Sequence, residues 1–74
     1  MIKSHELSDP TSCLNKARED ELLFVLLGRD QAAPAAIYAW IDERVRLGLN
    51  MADDPQIAEA RNLAVCMEMA NANS

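Results

Sequence analysis

The sequence predicts an all-α protein, a small helical bundle of three to four helices completed by homo-oligomerisation. Three observations carry that expectation. Half of the residues are apolar but only Phe24, Tyr38 and Trp40 are aromatic, and the remaining Ala, Leu, Ile, Val and Met favour helix packing over sheet. Asp9-Pro10 and Asp54-Pro55 repeat one device, an Asp able to cap a helix followed by a Pro at its first position. Apolar residues of the second half recur at helical spacing. The chain has 74 residues, so its single core is thin, and domains of that size lean on disulfides, metals or self-association.

Taken in order, residues 1–8 are expected as a flexible leader, 9–70 as one helical domain and 71–74 as a frayed tail. The first helix is expected from Pro10 to about Arg18, capped by Asp9. The acidic "EDE" at Glu19–Glu21 then interrupts its apolar stripe, because Leu14 and Ala17 call for an apolar residue where Glu21 stands. Periodicity cannot separate helix from strand in the short apolar run "LLFVLLG" that follows. The helix formers before it favour a helix with Gly28 as its C-terminal cap. A lone strand would need a second protomer to pair with.

The next helix is expected from Gln31 or Pro34 to Leu47. Gly48 suits its C-terminus, and Arg44 and Arg46 lie in the last turn, where cations favour the helix dipole. Ala33, Ile37, Trp40, Ile41, Arg44 and Val45 share one face, which puts Trp40 in the core. Tyr38 groups with Asp42 towards solvent. After the loop "GLNMADD" a last helix runs from Pro55 to about Ala70, with Ile57, Ala60, Ala64 and Met67 on one face. Leu63, Val65, Cys66 and Met69 widen the apolar arc nearly all round its last two turns. A helix apolar all round is covered on more than one side, so these four residues are the expected interface with a second copy.

Composition excludes several functions. The net charge of −5 repels nucleic acid over most of the surface, and no Lys/Arg cluster offsets it. The first residues lack the apolar stretch of a signal peptide, and the longest apolar run, Leu22–Leu27, is far too short to span a bilayer. A cytosolic protein with reduced thiols is therefore expected, with Cys13 and Cys66 as packing residues. His5, the single histidine, has no fixed Ser, Cys or acid partner for a triad, and it forms no zinc-ligand spacing with the cysteines. The acids at Glu19–Glu21 and Asp53-Asp54 read as solvated or capping groups. No catalysis, metal or cofactor is expected.

One stretch invites a ligand. "SDPTSCLNKAR" places Thr11 and Ser12 at the start of a helix, where free N–H groups and the dipole attract anions. Asn15 and Lys16 follow within about a turn, and Arg29 could return to this end if the chain folds back. Thr11, Ser12, Asn15, Lys16 and Arg29 are thus the candidate ligand-binding set for a phosphate or carboxylate. The simpler alternative is that Asp9 already satisfies the helix end.

The elements "SDPTSCLNKA", Asp20-Glu21, "FVLLGRD", "AAP", Ile37 with Trp40, and "DDPQI" together resemble a family of short, mostly uncharacterised proteins of bacteriophages and prophages. The resemblance spans about Ser8 to Ala60. Leu22 stands where many members carry proline, which makes a continuous first helix easier here. The resemblance implies a phage accessory protein in the bacterial cytosol and brings no reaction.

Three functions follow as expectations. The first is a non-catalytic anti-defence protein that sequesters a phosphate-bearing signalling nucleotide at a subunit interface. The second is an acidic inhibitor that masks a basic patch on a host protein. The third is a structural component of the virion or its assembly.

Overall fold

The computed structural model describes residues 1–72. Four helical segments follow one another: α1 (Lys3–Ser8), α2 (Cys13–Lys16), α3 (Ala33–Arg46) and α4 (Pro55–Ala72). No strand occurs among the described residues, so the all-α expectation holds for them. Helices α3 and α4 form an antiparallel hairpin. Ile41 packs on Ile57 and Ala60, with Ile37 and Tyr38 closing over them, while Ala64 is buried a turn further along α4. Ile, Ala, Ala at Ile57, Ala60 and Ala64 give α4 a narrow buried face, and the small side chains let α3 come close.

The hairpin turn follows from glycine. Gly48 has φ 74°, a left-handed conformation that costs residues with a Cβ. The Leu49 N–H donates to the Arg44 carbonyl and the Gly48 N–H to the Val45 carbonyl, both at 3.0 Å. This double closure is the usual satisfaction of orphan carbonyls at a glycine-ended helix. Arg44 Nε then donates to Asn50 Oδ1 at 2.6 Å, and Asp54 Oδ2 accepts from the Met51 N–H at 2.9 Å. The loop is thereby held by side chains, and the Asp54 carbonyl accepts the Ala58 N–H at the start of α4.

The first half departs from expectation. The leader contains α1, which is tied down at both ends. The N-terminal amino group lies 3.5 Å from Glu6 and 3.6 Å from Glu59 of α4. The helix expected from Pro10 to Arg18 shrinks to the single turn of α2, and its cap is Ser12 in place of Asp9. Part of the reason is local. Asp9 Oδ1 accepts both the Thr11 N–H, at 2.8 Å, and the Thr11 hydroxyl, at 2.7 Å, closing a turn over Pro10 that competes with helix.

Residues 22–27 are not helical: they hold no helix, turn or bend, a run without sharp curvature, hereafter the extended segment. Turns grip both ends: the Glu21 N–H donates to the Arg18 carbonyl and the Asp30 N–H to the Leu27 carbonyl, each at 3.0 Å. So short a run between two turns cannot recover the cost of helix nucleation. Gly28 is no helix cap. It sits in the second turn against Met67, where an added Cβ would lie 3.7 Å from the Met67 side chain. The extended segment therefore runs past α4 and leaves most of its apolar side chains in solvent.

Two placements in α3 and one in α4 also differ. Trp40 is 39% exposed, with the Arg44 guanidinium 5.5 Å over its ring; Ile41 takes the core position beside it. Tyr38 is half-buried against the core. Helix α4 continues to Ala72, through the start of the expected tail, and residues 73–74 lie outside the described residues.

Candidate functional site

The ligand set read from "SDPTSCLNKAR" becomes a network within the chain. Ser12 is buried; its hydroxyl donates to the Glu6 carbonyl at 2.6 Å and accepts the Asn15 N–H at 3.2 Å. The Asn15 amide reaches the carbonyls of Glu6, Leu7 and Asp9 at 2.8–3.1 Å. Those carbonyls belong to the end of α1, which has no helical partner for them. Ser12 and Asn15 thus clip α2 across the end of α1. Thr11 is held by Asp9. The Thr11 N–H is the foremost cause that keeps the Asp9 carboxyl below its ordinary value, followed by the Thr11 hydroxyl.

The two cations of the set stand apart from this clip. Lys16 lies in the last turn of α2, and Arg29 in the turn between Leu27 and Asp30. Both are exposed, and neither joins an ion pair among the described residues. Asp30 Oδ1 accepts the Ala32 N–H at 2.8 Å and so shapes the entry to α3.

The larger concavity lies elsewhere. A groove of about 910 Å³ runs between α1, α2, the extended segment and α4. Leu63, Cys66, Met67 and Ala70 form its α4 wall, at the spacing that lines one helix face. Leu14, Leu23 and Phe24 lie across from them, with Lys3 and Glu6 among the few charged groups. Cys13 and Cys66, expected as packing residues, are exposed free thiols on the groove wall. Of the expected interface residues, Leu63 and Cys66 face the groove. Val65 and Met69 lie outside it, 43% and 63% exposed. The sequence signal for this groove was the wide apolar arc of the last helix; what it could not supply was the opposite wall.

A second, smaller concavity sits where the start of α3 meets the end of α4, around Tyr38 and Glu68. The Tyr38 hydroxyl donates to Glu68 Oε1 at 2.6 Å. That hydrogen bond, above other causes, raises the Tyr38 pKa above its ordinary value.

No group of three or more His, Cys, Asp or Glu side chains among the described residues is placed to hold a metal ion. No helix among them is long and apolar enough to cross a membrane. A scan of family models and searches of curated proteins and of solved structures matched nothing to this chain.

Proposed function

We propose that this chain is a non-catalytic binding protein, a phage accessory protein that counteracts host defence by docking on a host protein. The groove carries the reading. A long apolar concavity walled by Leu63, Cys66 and Met67 on one side and Leu23 and Phe24 on the other suits an apolar protein segment better than a polar metabolite. The net charge of −5 would steer such a protein towards a basic target. The phage assignment rests on the sequence resemblance alone.

A second reading is sequestration of a phosphate-bearing nucleotide between copies of the chain. Exposed Lys16 and Arg29, both outside any ion pair among the described residues, favour it. The internal hydrogen bonds of Ser12 and Asn15 weigh against it, because two of the expected donors are already spent on α1. A third reading, a virion or assembly component, would use the same groove for a phage protein.

One pair of measurements separates them. Tagged protein is incubated with host lysate, and the retained proteins are identified beside those retained by Leu63→Asp. A host protein lost with Leu63→Asp supports docking. Thermal melting against cyclic and linear nucleotides tests the second reading, since a ligand of the native state raises the midpoint. A nucleotide that does so, in a manner abolished by Lys16→Ala or Arg29→Ala, replaces docking with sequestration. Retention of phage structural proteins alone selects the third.

A further inference from the structure

The segment 22–27 holds no helix, strand, turn or bend, and none of its N–H groups donates a hydrogen bond among the described residues. Leu22 is 97% and Phe24 86% exposed, and Leu23, Val25 and Leu27 are each more than half exposed. Unpaired backbone beside exposed apolar side chains is the condition of a free strand edge, which natural proteins cover, charge or pair. Nothing among the described residues pairs it. From Leu22 to Gly28 there is no charged residue, so the usual charged guard of an edge is also missing.

We propose that a second copy of this chain covers the segment, the two extended runs pairing as an antiparallel β-ribbon across a two-fold axis. Charge selects both occupant and direction. Chains of net charge −5 repel one another on average, and Leu22–Gly28 is an uncharged window in that surface. Acids precede the window at Glu19, Asp20 and Glu21, and Arg29 follows it. Parallel pairing would set acids against acids. Antiparallel pairing sets the acidic end of each run beside the basic end of the other, and opposite charges across a ladder are favourable.

The register follows from the symmetry. A two-fold axis perpendicular to a ribbon passes beside a residue that faces its own copy, as an isologous contact requires. The central residue of the window is Val25. With Val25 on the axis, Phe24 lies opposite the partner's Leu26, Leu23 opposite the partner's Leu27, and Glu21 opposite the partner's Arg29. Glu21 can take that role. Its Oε1 accepts the Arg18 N–H at 3.0 Å, and its Oε2 accepts no hydrogen bond among the described residues. A two-stranded ribbon is marginal alone. This one is supported from behind at its end, where Gly28 meets Met67 of α4.

The inference goes beyond the docking reading and does not need it: the dimer is read on the purified chain, and groove docking on an added partner. Sedimentation velocity of the full chain at micromolar concentration is expected to give twice the 8.2 kDa of the monomer. Glu21→Arg and Arg29→Glu each place like charges opposite one another at both ends of the ribbon. Each should weaken the dimer about tenfold, and the double swap should restore it to within about threefold of the parent. Phe24→Asp should give monomers whose circular dichroism is unchanged. A monomeric parent protein overturns the proposal. So does a dimer that the two swaps leave equally tight singly and together, or one that Met69→Asp breaks while Phe24→Asp does not; the last result would place the interface on the outer face of α4.

Discussion

The stability of this chain should hang on very few side chains, and Ile57→Ala tests that. Ile57 is fully buried, and Ile41 at 1% exposure is the other large side chain so enclosed among the described residues. The substitution removes three carbons, worth about 2.4 kcal/mol at roughly 0.8 kcal/mol each. It also leaves a cavity against Ile41, and Ile→Ala changes in cores cost about 2–5 kcal/mol in all. About 3 kcal/mol is the expected loss here, because the thin cover of Ile37 and Tyr38 can settle partly into the gap. A domain of 74 residues holds on the order of 4–11 kcal/mol in total. The loss should lower the melting midpoint by roughly 12–24 °C. Helical circular dichroism during heating and urea titration measures it, at one fixed protein concentration because self-association adds stability by mass action. Ile57→Val should cost only about 0.5–1.5 kcal/mol. If Ile57→Ala costs less than about 1 kcal/mol, the α3–α4 contact is not where the fold is held.

Other perturbations address the turns and the N-terminal clip. Gly48→Ala forces a Cβ into a left-handed turn and should cost about 1–2 kcal/mol, readable from the same urea curves. Ser12→Ala removes the α2 cap and the bond to Glu6; a loss of about 1 kcal/mol is expected, with faster amide exchange at Asn15 and little change in α3 and α4. Asp9 has a depressed carboxyl pKa in the fold, so its contribution is present above its unfolded value and is lost as pH falls through the lower folded value. Acid titration of Asp9→Asn should therefore show a smaller decline in stability than the parent protein in that low-pH range. Tyr38 behaves with the opposite sign. Its raised pKa stabilises the fold below the ordinary tyrosine value and withdraws that support as pH climbs through the folded value, and Tyr38→Phe should flatten the alkaline limb.

The sequence by itself determined the hairpin. Pro34 and Pro55 near helix starts, Gly48 after "RVRL", and Ile and Ala at helical spacing each act through bonds and contacts a few residues long. Such signals survive in any surroundings, and α3, its glycine turn and α4 appear where they point. Trp40 and Tyr38 were less legible, because a stripe defined by period alone is wide, and the neighbouring helix chooses which of its margins to cover. Only the tertiary structure decided the first half. Asp9 could cap a helix or close a turn over Pro10, and the docking of α1 through Ser12 and Asn15 favoured the turn. "LLFVLL" could coil or extend, and turns at both ends together with the passage of Gly28 against Met67 kept it extended. Its period matched neither structure better than the other, so the outcome lay with the flanking turns and with the distant contact at Met67. The same holds for the ligand set: Ser12 and Asn15 carry donors that suit an anion, but the unfilled carbonyls at the end of α1, brought near only by folding, take them first.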